Sequence, residues 1–204
     1  KNKIIKDALA LTLITLVAGV ALGGVYEITK DPIAKQEAQA KAEAYEQVFT
    51  DAAAFEEVEM DDTLLQTIRD QLDQEGYKAQ SIEEVMRAED QSGETLGYAF
   101  TVVTSEGYGG DIQFSMGVQN DGTLNGISIL SIGETAGLGM NADTPAFKDQ
   151  FVGKQVEKLQ YTKNGATQDD EINAISGATV TTNAMTNGVN AGLCAFRVME
   201  GGDQ

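Results

Sequence analysis

The sequence predicts an α+β domain with a largely antiparallel sheet and peripheral helices, carried behind a single amino-terminal transmembrane helix. Three observations point there. A charge-free apolar run fills positions 8–26. Two β-rich runs, Asp111–Gln119 and Thr123–Ser131, flank Asn120-Asp121-Gly122, a hairpin signal. Met185, Val189, Leu193 and Phe196 recur at helical spacing near the end of the chain. Hairpins with helices outside them argue for a mixed α+β layer rather than alternating βαβ units.

Composition narrows the chemistry. Of 204 residues, 14 are basic and 32 acidic, for a net charge of −18. Such a surface repels phosphate backbones, so nucleic acid is not an expected partner. There is no histidine, which excludes Ser-His-Asp and Cys-His catalysis, His-ligated haem and most zinc sites. The one cysteine, Cys194, can form no intrachain disulfide and hold no iron–sulfur cluster; its apolar neighbours predict a buried structural thiol. No catalytic residue and no metal site are expected, so redox chemistry would need an added cofactor.

At the amino end, Lys1, Lys3 and Lys6 precede the run from Ala8 to Tyr26. As a helix that run rises roughly 28 Å, close to the hydrocarbon thickness of a bilayer. A cleaved signal peptide usually has a shorter apolar core, and a buried core helix would show a polar face, where here only Thr12 and Thr15 interrupt. The three leading lysines favour a cytoplasmic amino terminus and an extracytoplasmic main domain in a bacterial cell membrane, although Lys30, Lys35 and Lys41 on the far side weaken the asymmetry. No methionine opens the sequence, so one or more residues are expected to have been trimmed. The expected organisation is an anchor over 1–30, a helical stalk over 31–50 and a folded domain over 51–204. The stalk rests on the Ala-, Glu-, Gln- and Lys-rich stretch from Ala34 to Phe49, which can begin after Pro32.

Within the domain, Asp62 opens a helix whose apolar face is Leu64, Leu65, Ile68 and Leu72, and Gly76 stops it. Leu96–Thr104 reads as a strand ahead of the hairpin. Thr144-Pro145 starts a short helix with Ala146, Phe147 and Phe151 on its apolar side. Val156–Tyr161 is a further strand, Asn164-Gly165 a tight turn, and the last helix covers about Thr182 to Met199.

Three stretches could carry chemistry. Gly107-Tyr108-Gly109-Gly110 allows close backbone approach to a ligand, and a plain turn explains it equally well. Glu134-Thr135-Ala136-Gly137-Leu138-Gly139-Met140 could frame a flat polar heterocycle, with Leu138 and Met140 covering its apolar face; otherwise it is a solvent loop. Ile175-Ser176-Gly177-Ala178-Thr179-Val180-Thr181-Thr182 places four hydroxyls at a helix entrance, where backbone N–H groups can hold a phosphate. A helix cap, with Thr181 or Thr182 accepting bonds from the first turn, is the commoner use of such a stretch. A P-loop is excluded because no lysine follows the glycine.

Taken together, these stretches resemble the FMN-binding domain family shared by the G subunit of the bacterial Rnf complex and the C subunit of the Na⁺-translocating NADH:quinone oxidoreductase. Ser176-Gly177-Ala178-Thr179 with Thr181 resembles the family's flavin attachment motif, and Glu134-Thr135-Ala136-Gly137-Leu138-Gly139 its Glu-Thr-Pro-Gly-Leu-Gly loop, with Ala136 in place of proline. The length of the chain favours the Rnf relative. The resemblance implies covalent FMN joined to Thr179 through a phosphoester, with Ser176, Gly177, Ala178, Thr182, Glu134, Thr135, Leu138 and Gly139 around the cofactor. It implies a membrane-anchored electron carrier in an ion-translocating ferredoxin:NAD oxidoreductase complex. Its partners would be iron–sulfur subunits, a flavin-bearing membrane subunit, the lipid bilayer and, for maturation, a flavin transferase. One departure is Asn173, where the attachment motif commonly has aspartate. Rival expectations are a component of the quinone-reducing complex like its C subunit, an anchored extracytoplasmic domain that binds flavin or a nucleotide reversibly, and a structural protein without a cofactor.

Overall fold

The computed structural model describes residues 2–201. Lys1, one of the three leading lysines, and residues 202–204 lie outside the described residues. The chain divides into two compact units, Lys1–Ala40 and Lys41–Gln204.

The first unit is the leading part of α1 (Asn2–Val48), a single helix that runs on through Pro32. Its apolar window has a mean hydropathy of 2.3 and none of it is buried within the chain. Leu9, Leu13, Leu16 and Val20 are all exposed, an arrangement stable in a hydrocarbon solvent and not in water. The hydroxyls of Thr12 and Thr15 donate back to the carbonyls of Ala8 and Leu11, so the polar groups of this stretch are satisfied within the helix.

The second unit is built on an antiparallel sheet in meander order: β1 (Ala54–Glu57), β2 (Gln80–Glu89), β3 (Thr95–Thr104), β4 (Ile112–Gln119) and β5 (Leu124–Ser131). The Asn120-Asp121-Gly122 turn joins β4 to β5, with Gly122 at φ +84° and the Asp121 carboxylate accepting from Thr123 N–H. Phe100, Val102, Phe114, Met116 and Val118 point to one face and are fully buried. α4 (Thr179–Gly201) lies against that face, and α2 (Asp62–Glu75) packs against α4. α2 is capped as its residues predict, by the Asp61 carboxylate accepting from Leu64 N–H at 2.7 Å and by left-handed Gly76. α4 lies close against the sheet because Gly188 and Gly192, one turn apart, have no side chains. A Cβ on Gly188 would stand 2.8 Å from the Phe114 ring, and one on Gly192 would stand 2.1 Å from Met116 Sδ.

The opposite face carries small residues, Ala88, Ala99 and Gly117, against which Tyr45, Val48 and Phe49 pack. Here the Lys41 ammonium reaches Glu84 at 2.7 Å, and the Tyr45 phenol donates to Glu84 at 2.8 Å. Burial pushes the Glu84 carboxyl up, but Lys41 and Tyr45 together outweigh it and hold it below its ordinary 4.5. A carboxyl depressed in the folded state stabilises at neutral pH, and that contribution is lost as pH falls below 4.5 through the folded value. Lys41→Met is therefore expected to narrow the gap between denaturant midpoints measured at about pH 7 and about pH 3.

Beyond the sheet, a 3₁₀ turn (Gly139–Asp143) leads to α3 (Pro145–Lys148), with Pro145 in its first turn. A small parallel pair follows, β6 (Gln160–Thr162) and β7 (Glu171–Asn173). The Asn190 amide of α4 clamps this region by accepting from Leu159 N–H at 2.7 Å and donating to Leu159 O at 2.9 Å. The strand expected at 156–161 begins instead at Gln160, and the last helix begins at Thr179, three residues before the expected start.

Cys194 is fully buried. Burial, and then the nearby Glu75 carboxylate, push its thiol up to about 12. Because the thiolate is the reactive form, Cys194 is expected to resist maleimide at about pH 8 in the folded chain and to react fully once the chain is denatured, as read by mass.

Candidate functional site

The three glycine- and hydroxyl-rich stretches converge. The loop after β3 and the loop after β5 approach so closely that side chains would not fit between them. A Cβ on Gly109 would stand 2.2 Å from Gly133 O. Tyr108 N–H donates to Glu134 Oε1 at 2.8 Å, joining the two loops. The Glu134 loop then turns through Gly137 at φ +74°, and both Leu138 and Met140 donate their N–H groups to Thr135 O. Leu138 reaches the hydroxyl-rich stretch before α4: a Cβ on Gly177 would stand 3.0 Å from Leu138 Cδ2.

The entrance to α4 is a tight corner. Gly177 takes φ +75°, and Ala178 N–H donates to Ile175 O at 3.0 Å. Thr182 is buried and fixes this corner, since its Oγ1 accepts from Ile175 N–H at 3.0 Å and donates to Ala178 O at 2.9 Å. It does so from inside the helix and accepts from the chain before it, not from the first turn as a cap would. The first helical N–H groups, those of Thr179, Val180 and Thr181, have no intrahelical acceptors by the geometry of an α-helix.

Between the loops and this helix end lies a cleft of about 470 Å³, within the ordinary size range of small-molecule sites. Thr179, Gly177, Ala178, Glu134, Thr135, Leu138 and Gly139 line it. Ser176 is exposed and is not among the lining residues, and Thr182 faces the turn it holds. The sequence did not single out three further lining residues, Tyr108, Val180 and Thr181, as cofactor contacts. Tyr108 and Val180 are 77% and 50% exposed, and with Leu138 they form an apolar rim. The signal for Tyr108 was an aromatic side chain set among glycines; Thr181 was legible as a cap candidate and as the trailing threonine of the motif. No lysine or arginine is among the lining residues. A phosphate there would be met by backbone N–H groups and the positive end of α4, an arrangement worth roughly 0.3–1 kcal/mol from the dipole.

Asn173 lies outside the cleft lining. Its Oδ1 accepts from Ala166 N–H at 2.6 Å, and its N–H donates to Gln150 Oε1 at 2.7 Å. Asparagine at this position thus serves the turn between β6 and β7.

Comparison with known proteins agrees with this arrangement. Residues 107–193, which contain all three converging stretches, match the model of the FMN-binding domain, and residues 1–48 match that of the RnfG N-terminal region. The chain is 32% identical over 196 residues to the G subunit of the Na⁺-translocating ferredoxin:NAD⁺ oxidoreductase complex of Acetobacterium woodii, covering 95% of this chain and 92% of that one. It is 28% identical over 202 residues to the G subunit of the proton-translocating ferredoxin:NAD⁺ oxidoreductase complex of Clostridium ljungdahlii, covering 99% and 96%. Among solved structures, NqrC of Shewanella oneidensis aligns with a TM-score of 0.49 at 21% identity, over 58% of this chain and 59% of that one. With a membrane helix matched at one end, the flavin-domain stretches at the other, and a relative above 30% identity along nearly its whole length, the chain belongs to the RnfG family, the G subunits of ion-translocating ferredoxin:NAD⁺ oxidoreductase complexes.

Proposed function

We propose that this chain is a membrane-anchored electron-transfer subunit that carries FMN covalently on Thr179 and relays electrons within a ferredoxin:NAD⁺ oxidoreductase complex. The observation that supports it best is the position of Thr179. This hydroxyl stands half-buried at the first position of α4, in the lining of the cleft where the three stretches meet. Bound FMN would supply the redox chemistry that a chain without histidine or accessible thiol lacks.

The chain's own residues would then have separate tasks. The N–H groups from Thr179 to Thr181 receive the phosphate. Gly177, at positive φ, turns the backbone clear of it. Thr135 and Gly139 wall the cleft, and Tyr108, Leu138 and Val180 offer apolar surface at its mouth. An ester bond to the protein prevents loss of the cofactor outside the cell, where free FMN is dilute. In this reading a flavin transferase makes the ester, since no histidine or lysine stands among the lining residues to activate the Thr179 hydroxyl. The partners in this reading are iron–sulfur subunits and a flavin-bearing membrane subunit. Residues 1–30 cross the membrane once with the amino terminus in the cytoplasm, 31–50 form the stalk, and 51–204 form the extracytoplasmic flavin domain.

The test is mass mapping of the chain produced alongside a flavin transferase. Trypsin releases the segment between Lys163 and Arg197, and fragment ions separate Thr179 from Ser176, Thr181 and Thr182. FMN on Thr179 is expected. FMN on another residue would refute the assignment, and flavin that leaves on denaturation would favour reversible binding.

A further inference from the structure

Two oxygens in the cleft lining have no hydrogen-bond partner among the described residues. Thr181 is 1% exposed, and its Oγ1 makes no hydrogen bond among the described residues. Glu134 is 9% exposed; its Oε1 is taken by Tyr108 N–H, while its Oε2 makes no hydrogen bond among the described residues. Both oxygens stand 2.6 Å from the point a Cβ on Gly139 would occupy, so they lie on the same side of that glycine. Both residues line the space a ligand would fill, so their free oxygens are available to its polar groups.

We propose that Glu134 Oε2 and Thr181 Oγ1 hold the hydroxyls of the flavin's ribityl chain, rather than the ring or the phosphate. This rests on the reading that Thr179 carries FMN. Chemistry excludes the phosphate as the partner of this pair, because a carboxylate repels an anion. A carboxylate only accepts, whereas a threonine hydroxyl both donates and accepts. A run of neighbouring hydroxyls complements both, and so in principle does the N–H and C=O edge of the ring. Distance decides between them. Thr181 is two residues past Thr179, about 3 Å along the helix axis. The atoms next to an ester phosphorus on Thr179 are the polyol carbons, and the polar edge of the ring is the far end of the molecule. The ring is then carried toward the apolar rim of Tyr108, Leu138 and Val180, where it is open to an electron partner. The Glu134 loop thus grips the linker instead of framing the heterocycle.

The experiment uses the full chain in detergent, loaded by a flavin transferase, as wild type, Thr181→Val, Thr181→Ser and Glu134→Gln. Flavin fluorescence anisotropy and midpoint potential are measured on each. Thr181→Val and Glu134→Gln are expected to lose anisotropy because the linker is released, while Thr181→Ser keeps it. The potential of Thr181→Val is expected to match wild type. This neutral change is the arbiter, since deleting the Glu134 charge acts on the potential at a distance. Unchanged anisotropy in both Thr181→Val and Glu134→Gln would overturn the proposal. A shifted potential in Thr181→Val would also overturn it, by placing the ring edge at this pair. Wild-type chain that acquires no covalent flavin would instead sink the reading of Thr179 on which the proposal rests.

Discussion

Thr179→Val is expected to yield a chain with no covalent flavin and an intact fold. On a denaturing gel its fluorescence should vanish, and its intact mass should equal that of the bare polypeptide. The substitution keeps the branched shape and removes only the hydroxyl. Thr179 Oγ1 makes no hydrogen bond among the described residues, and the corner at the helix entrance is held by Thr182 and Ala178 instead. The stability change should therefore stay within about 0.5 kcal/mol, as for partly exposed positions away from special features. Circular dichroism and a denaturant midpoint check that half of the claim. A gel band that still fluoresces would place the ester on another residue. Ser176→Ala is the paired control: Ser176 is exposed outside the cleft lining, and its loss should leave flavin attached.

The largest stability effect is expected from Phe114→Ala. Phe114 is fully buried on β4, and its ring fills the space left by Gly188 of α4. Truncation removes the transfer energy of the ring and leaves a cavity between helix and sheet, costing about 3–5 kcal/mol. The denaturant midpoint should fall with little change in slope, since the surface exposed on unfolding is nearly the same. The opposite change in volume at the same contact should also destabilise. In Gly188→Ala the new methyl would stand 2.8–2.9 Å from the ring, and overpacking of this kind costs about 1–3 kcal/mol. Destabilisation in both directions would show that α4 is seated by fit and not only by apolar area. A Phe114→Ala midpoint equal to wild type would refute that account.

Much of the fold was legible because local signals were strong. The membrane run declares itself by length and lack of charge, and the Asn120-Asp121-Gly122 hairpin by turn chemistry. α2 is written by Asp61, its apolar spacing and Gly76. Other elements were hidden for physical reasons. β2 carries Glu83 and Glu84 at a bulge between Ile82 and Glu84, which breaks the alternation that marks a strand. β1 and β7 span only Ala54–Glu57 and Glu171–Asn173 and owe their conformation to partners distant in sequence. α1 runs through Pro32: proline removes one hydrogen bond and crowds the preceding turn, and the Ala-, Glu-, Gln- and Lys-rich turns that follow are strong helix formers. Thr179 to Thr181 looked like helix approach because threonine is common at caps; their place inside α4 follows from the corner that Thr182 secures.

The sequence by itself determined the class of the molecule: an apolar helix, an acidic α+β domain, no histidine chemistry, and a hydroxyl-rich stretch resembling a flavin attachment motif. These are properties of composition and short spacing, which need no long-range contacts. Only the tertiary structure decided which polar atoms are spent and which remain available. Thr181 and Thr182 are adjacent and chemically identical, yet one is consumed by the turn and the other is left unpaired beside Glu134. That difference comes from the helix itself. Successive side chains point about 100° apart, so one faces the corner of its own chain while its neighbour faces the loop that leaves β5.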